Sequence, residues 1–579
     1  MRIGVGEAIG LAIVAAIAAF ALWQSWGKWL HPLIDAGRDL YVPEQMLAGR
    51  KLYRDILYFY PPLAPYLLAG ITGIVGSSLG VYAFIGVAIG GVACSALYGI
   101  ARDVSGRVAA WIVALLFVSL SLTGATTYGA NVIFPYAHAA VLGMMFFLLF
   151  EGAILRIFVT GPTRLSVVVA VVAGLLAAWC KIEFAAWVLV TATMACALAV
   201  VTKRAARRDI ALAAATFVAC AACSVAAVWL VFADSGPGHH WLFDNTLPNA
   251  LLEGGVARAF YSKVTGSDQW ASNLTLALAG LVLVAIHLWL VRMLDPARTG
   301  ARRGLASLGL LALLALVVYI LATDLFFRAW TVVQLLLIPL ALRDVDRVAR
   351  SADDPARWAR LTMPLLLWFS ACGTSRIYLN LAPVWYGFSL ILPVLLLIVH
   401  VLFRELPARD FHSRRASLLW LPLLLVICGR NLAEQRAAYA DKRHAIVTPR
   451  GTFYDVAADR ARVLNEFIAY ATANRLEGMV IIPEGLAMNY VTSIPNPMSW
   501  HTFTPAEIPT REIDRRAVAE FDRVKPRYVV VTTQEAAAFG FRGFGVDYGL
   551  ELDRYLRANY VLERKWTSAT FSMYLLKRR

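Results

Sequence analysis

Apolar residues in this chain do not mark one face of a helix or alternate along a strand. They come in long, nearly unbroken runs from the N-terminus to about residue 429. A run of about 18 or more such residues crosses the ~30 Å hydrocarbon core of a bilayer as a helix. The runs and their breakers predict thirteen spans, near 7–26, 80–100, 108–125, 137–155, 165–180, 183–201, 209–232, 272–292, 305–323, 329–342, 361–373, 384–403 and 416–429. The 165–201 region also reads as one long helix with a break. Segments such as Leu305–Ala322 and Tyr386–Phe403 are apolar nearly all round, whereas membrane-barrel strands alternate polar and apolar over about ten residues. The fold class predicted is an all-α polytopic membrane domain.

Two regions depart from this pattern. Residues 430–579 have polar spacing and short strand-like runs, MVIIP (479–483) and YVVVTT (528–533), between helical stretches, and read as a small soluble α/β domain. The first long connection, 27–79, holds a helical pattern ended by Gly49 and, after the pair Pro61-Pro62, an amphipathic to apolar stretch. Both suit helices lying along the membrane surface. The division expected is therefore a membrane domain over 1–429, including this loop, and a soluble domain over 430–579. The first apolar run could alternatively be a signal peptide, a reading weakened by the lack of a polar stretch before a cleavage site.

Composition agrees with a bilayer as solvent: 59% of the 579 residues are apolar and only 16% charged, with a mean hydropathy of +0.64. The formal charge of +16 would suggest nucleic acid in a soluble protein, but here it lies mostly in alternate short loops. The segments 203–209, 292–303, 343–360 and 404–415 are rich in Lys and Arg. Opposite them, 126–136 has neither, 324–328 has only Arg328 and 374–383 only Arg376. The positive-inside rule puts the basic loops and the N-terminus in the cytoplasm of a cell inner membrane, and the C-terminal domain outside it. The seven cysteines all fall in or beside apolar segments, so no disulfide framework is expected, and Cys220 and Cys223 read as packing residues.

Candidate chemistry concentrates in the first outer loop, HPLIDAGRDLYVPEQMLAGRKLYRDILYFYPPLAPYLLAGITGIVG (31–76). Asp35, Gly49, Tyr53-Arg54-Asp55 and Pro61-Pro62 follow one another there in an order and spacing that resembles the glycosyltransferase-C superfamily. The branch resembled holds protein O-mannosyltransferases, lipid A aminoarabinose transferases and the related family 39 and family 83 enzymes. Two positions depart from that branch: Ala36 stands where several members have Glu, and Tyr60 where the aminoarabinose transferases have Lys. The resemblance implies a transferase that uses a polyprenyl-phosphate sugar donor, with Asp35 as catalytic carboxylate and Arg38 as phosphate partner. It leaves the sugar unnamed.

Elementary chemistry is compatible with those roles. An acceptor hydroxyl attacking an anomeric carbon needs a base, which a carboxylate supplies. A polyprenyl phosphate leaves as an anion and needs cationic clamping rather than an acid. Arg38, Arg54, Lys181 and Arg376 are the bases expected for that clamp, with Asp39, Asp55, Tyr60, Glu183, His138, Arg328 and Tyr378 as further substrate contacts. With one carboxylate assigned, a single displacement with inversion follows. A divalent metal shared between carboxylate and phosphate is a further option, and its ligands cannot be counted in the sequence.

Each position also has a plainer reading. Asp35 suits the N-cap of a helix over 36–48. Lys181 and Glu183 could be a snorkelling helix end, Arg376 an interfacial anchor and His138 a packing residue. The segment PEGLAMNYVTSIPNP (483–497) could bind acceptor or pack against the membrane domain. A transporter or flippase is the main rival class, against which stands the lack of an internal repeat. A non-catalytic envelope-assembly partner is the third. Convergence of Asp35, Arg38, Lys181 and Arg376 on one outward cavity favours the enzyme, which would act on a cell-envelope glycan, lipid or protein.

Overall fold

A computed structural model describes the chain apart from residues 1–3, 125–130, 205–206, 233–254, 296, 298–322, 352–354, 384, 386 and 535. Nearly all of the expected span 305–323 lies outside the described residues. Apart from short 3-10 and π turns and a three-residue helix at Leu406–Ala408, the described membrane part is made of the helices α1 (Val5–Ser25), α2 (Ala36–Leu47), α3 (Leu63–Val75), α4 (Leu79–Val104), α5 (Arg107–Phe117), α6 (His138–Val159), α7 (Arg164–Ala178), α8 (Ile182–Val201), α9 (Arg207–Val231), α10 (Gly255–Thr265), α11 (Trp270–Met293), α12 (Thr323–Arg350), α13 (Thr362–Thr374), α14 (Leu392–His400) and α15 (Leu421–Asp441).

Among the described residues eight helices are long and apolar enough to cross a membrane: α1, α4, α6, α8, α9, α11, α12 and α15. Their outward surfaces require lipid. None of the stretch Ala214–Val231 is buried, and Val5, Trp23 and Leu230 are 81%, 76% and 74% exposed. Burying one such side chain is worth about 1.5–3 kcal/mol, so dozens left in water could not be sustained. The chain is a multi-pass membrane protein.

The other expected spans fall on shorter helices, and their lengths differ for physical reasons. The α5 helix continues as a π turn over Val118–Leu122. Every residue of α14 is buried, so it lies inside the bundle and has no lipid face. It begins at Leu392, later than the expected 384, because Gly387 (φ +91°) and a 3-10 turn precede it. The expected span 329–342 extends in both directions, its polar end carrying an Asp346–Arg350 pair. The last span runs on past residue 429 to Asp441. The 165–201 region is two helices, and α6 packs beside both, with the Phe147 ring against Phe184 and Trp187 of α8 and the Phe150 ring beside Gly174 of α7.

The C-terminal region folds as β1 (His444–Thr448), β2 (Gly451–Asp455), α16 (Ala458–Ala473), β3 (Met479–Ile482), α17 (Leu486–Thr492), α18 (Arg511–Val524), β4 (Tyr528–Thr532), α19 (Leu550–Asn559), β5 (Tyr560–Thr567) and β6 (Ser572–Arg578). β1 and β2 form a hairpin, and the larger sheet has the order β3-β4-β6-β5. In it β3 runs parallel to β4, with Met479 opposite Tyr528, and the remaining pairs are antiparallel. All of β3 is buried, which explains why MVII is continuously apolar rather than alternating.

This domain is clasped to the long connection that follows α1. The Tyr454 and Leu79 amides donate to the carbonyls of Gly27 (3.2 Å) and Arg450 (3.0 Å), and the Leu57 amide to that of Ser499 (3.0 Å). Arg50 donates to the carbonyls of Asn496 and Met498, each at 2.8 Å. The closest approach is at Gly37 on α2, where a Cβ would lie 2.9 Å from the Ala487 Cα and nearer still to its amide nitrogen. Only a glycine lets α2 and α17 meet there.

Candidate active site

Asp35 lies between α1 and α2 in an unusual conformation. Its φ and ψ are +60° and −76°, and the Ala36 amide donates to the Ile34 carbonyl at 2.8 Å. This is a tight γ-turn centred on Asp35, of the rare and strained form. Such backbone costs on the order of 1–3 kcal/mol and persists only where its surroundings fix it. The Leu33 and Ile34 amides both donate to Nδ1 of His31, at 3.3 and 3.0 Å. His31 is therefore an acceptor at Nδ1, in keeping with burial, which pushes its pKa down to about 3. On the other side the Asp35 amide donates to Glu484 Oε1 at 2.6 Å. Asp35 stands at the N-cap position of α2, yet its side chain makes no capping hydrogen bond. The carboxylate is left for other work.

Burial is the largest influence on Asp35. With Glu507 and Asp39 acting in the same direction and Arg38 and Lys181 opposing, it raises the carboxyl to about 6. At neutral pH Asp35 is thus ionised but more basic than an ordinary carboxylate, as a general base should be.

Helix α2 then sets the next two charges. Arg38 donates through Nη2 to the Tyr136 carbonyl at 3.1 Å and lies over the Tyr60 ring, 4.7 Å from its centre. Asp39 is buried and accepts both the backbone amide of His138 and its ring Nδ1, the latter at 3.1 Å. Burial would raise the Asp39 carboxyl, but these hydrogen bonds and Arg38 hold it below its usual value. His138 is fully buried at the start of α6, so its role in the structure is to anchor Asp39.

The break between α7 and α8 supplies the remaining cations. Lys181 is extended (φ −154°), at the N-cap of α8. That lets its Nζ turn back to Glu183 Oε1 at 2.8 Å, a contact that i,i+2 residues cannot make within one helix. Glu183 Oε1 is also bound by Arg376 Nη1 at 2.9 Å, and Arg376 donates to the Tyr136 hydroxyl at 2.6 Å. Lys181 Nζ is 3.4 Å from the same hydroxyl, and 5.0 and 5.3 Å from the centres of the Tyr60 and Tyr136 rings. Arg38, Lys181 and Arg376, from three separate parts of the chain, thus surround two stacked-in tyrosines beside Asp35.

The other expected residues lie elsewhere or differently. Arg54 makes a two-pronged contact with its neighbour Asp55 at 2.8 and 2.7 Å, and its side chain is 41% exposed. Arg328 donates to Asn273 and to the Leu379 carbonyl. Tyr378 is exposed, and its carbonyl accepts from Thr331 at 2.5 Å. Three contributors, Tyr136, Glu507 and His31, went unread in the sequence, and Glu484 was noted only within the 483–497 segment, as acceptor-binding or packing. Tyr136 lies in the same FPYAHAA motif as His138 and had no charge to draw attention. Glu484 and Glu507 are more than four hundred residues from Asp35, and His31 was read only as the start of the loop. Among the described residues no group of three or more His, Cys, Asp and Glu is placed to hold a metal ion, and Glu484 Oε1 is already engaged by an amide.

No family model and no curated protein sequence matches the chain. Among solved structures it is similar to the oligosaccharyltransferase of Archaeoglobus fulgidus in its apo form, at 14% identity and a TM-score of 0.48, over 90% of this chain and 69% of that one. It is also similar to ArnT of Cupriavidus metallidurans bound to undecaprenyl phosphate, at 13% identity and a TM-score of 0.45, over 98% of this chain and 97% of that one. At such identities and scores these likenesses assign no function to the chain.

Proposed function

We propose that this chain is an integral membrane glycosyltransferase that moves a monosaccharide from a polyprenyl-phosphate donor to a cell-envelope acceptor on the outer side of the membrane. Residues 1–429 would carry the chemistry and 430–579 form an extracytoplasmic domain over it. The observation that supports this reading best is the gathering of Arg38, Lys181 and Arg376 around Tyr60 and Tyr136, next to a carboxylate of raised basicity. Three cations face two carboxylates already paired with them, Asp39 and Glu183. With Asp35 also ionised the cluster is close to neutral overall, and its guanidinium and ammonium donors, rather than a net charge, are what suit the phosphate of a phosphodiester donor.

An apolar cavity of about 470 Å³ supports a lipid-linked substrate. Leu67, Leu68 and Ile71 of α3 and Val81, Phe84 and Ile85 of α4 line it, and α3 begins directly after Tyr60 and the proline pair. An isoprenoid chain would find apolar contacts there. The acceptor oxygen then bonds to the anomeric carbon and gives its proton to Asp35. The bond from that carbon to the phosphate oxygen breaks, and the polyprenyl phosphate leaves as an anion steadied by the basic cluster. One displacement inverts the anomeric centre.

The transporter reading keeps one observation of its own, Glu151 on α6, whose carboxyl oxygens are buried without a partner. A single experiment separates the two. The purified protein, incubated with a panel of polyprenyl-phosphate sugars and envelope acceptors, should release free polyprenyl phosphate in step with sugar transfer. Movement of intact lipid-linked sugar across a vesicle membrane without release would favour transport.

A further inference from the structure

The C-terminal domain reaches the base itself. We infer that Glu484 is a positioning residue for Asp35, and that the transfer site is complete only when the C-terminal domain is docked on α2. The inference rests on the proposed role of Asp35. The γ-turn at Asp35 is strained, and the one hydrogen bond that its own amide makes is to Glu484 Oε1, at 2.6 Å. Glu484 is carried by the turn between β3 and α17, directly before Leu486 and Ala487, which close on Gly37. Its backbone is therefore held next to α2, and its side chain reaches Asp35 from there. Without that acceptor the Asp35 amide loses its partner and the turn loses one of the contacts that fix it, and relaxation there would swing the carboxylate off the line of attack.

The charge state of Glu484 fits a neutral clamp. It faces Asp35, Glu507 and Arg38, and Tyr548 feels its field. Asp35 in turn faces Arg38, Glu507, Asp39 and Lys181, with Tyr60 and Tyr136 close enough to feel it. Burial, then the Asp35 charge, push the Glu484 carboxyl up to about 8. Two carboxyls this close share one proton at neutral pH, and the larger upward push on Glu484 favours its residing there. A neutral Glu484 still accepts the Asp35 amide through Oε1 and spares Asp35 a second adjacent charge.

Two variants and one spectrum test this. Glu484→Gln keeps the acceptor and mimics the protonated acid. It should transfer sugar at pH 7 within a few-fold of wild type, and the acid limb of its pH–rate profile should stay in place, because a neutral Glu484 puts no charge beside Asp35 where Asp35 titrates. Glu484→Ala should lose kcat by on the order of 10²-fold, with the donor KM little changed, as expected when a base is misplaced by about 1 Å. A Glu484→Gln that loses transfer, or whose acid limb moves by about a pH unit, overturns the inference whether or not Glu484→Ala folds, and so does a folded Glu484→Ala of normal kcat. The infrared band of a protonated carboxyl, taken as wild type minus Glu484→Gln, should be present at pH 7 and vanish as pH rises through about 8; its absence at pH 7 counts against Glu484 as the proton carrier. A wild-type protein that transfers no sugar while showing this band would refute the functional reading and leave the carboxyl pairing standing.

Discussion

Replacing Gly37 by alanine should cost activity far more than stability. The added Cβ would lie 2.9 Å from the Ala487 Cα and the Leu486 carbonyl carbon, and closer to the Ala487 nitrogen. Relaxed non-bonded contacts fall at ~3.5–4.0 Å, so α2 and α17 must separate by about 1 Å. Alanine in a helix gains up to ~1 kcal/mol over glycine, while overpacking costs ~1–3 kcal/mol. The net loss is about 0–2 kcal/mol. The same 1 Å would stretch the 2.6 Å bond from Asp35 to Glu484 beyond the ~3.2 Å limit of a good hydrogen bond. A shift of that size at a reacting group costs about 10²-fold in rate. The assay is sugar transfer alongside thermal unfolding in detergent, with Gly70→Ala as control, since nothing lies within 4 Å of a Cβ there. Wild-type kcat in Gly37→Ala would refute the reasoning from close approach.

Other consequences are equally direct. With the Asp35 carboxyl raised to about 6, the ionised base is present above that pH and lost below it. Transfer should therefore fall as pH drops through about 6, and a limb near 4 would contradict the assignment. Tyr136→Phe removes the hydroxyl that accepts from Arg376 at 2.6 Å. A hydrogen bond to a charged group is worth ~1.5–3 kcal/mol, so the donor KM should rise by about tenfold or more with kcat nearly kept, as steady-state kinetics would show. Asp39→Ala leaves His138 and the inner side of Arg38 without their acceptor. Breaking a buried charged contact of this kind costs ~3–5 kcal/mol, so a thermal midpoint equal to wild type would be inconsistent with it.

How much of this was legible in the sequence depended on range. The membrane helices could be read because each is its own continuous apolar run, and Gly49 ends α2 with a positive φ of +92° as its position predicted. The helical break at Lys181 was visible because two charges interrupt an apolar stretch. What the break achieves was not, since the partners of Lys181 and Glu183 come from Tyr136 and Arg376 on other elements. Asp35 stood out by its motif, but its γ-turn has no local signature: the residue that holds it, Glu484, is 449 positions away. Gly37 likewise carries no signal of its own in the sequence, because the close approach that needs a glycine comes from α17.

The central claim is that Asp35 is the base of a sugar transfer from a phosphate-linked lipid. It is tested most directly by purified Asp35→Asn, assayed for binding of a polyprenyl-phosphate sugar and for its turnover with acceptor. Bound donor, an unchanged fold and transfer reduced to background are the predicted result. Transfer at the wild-type rate would contradict it.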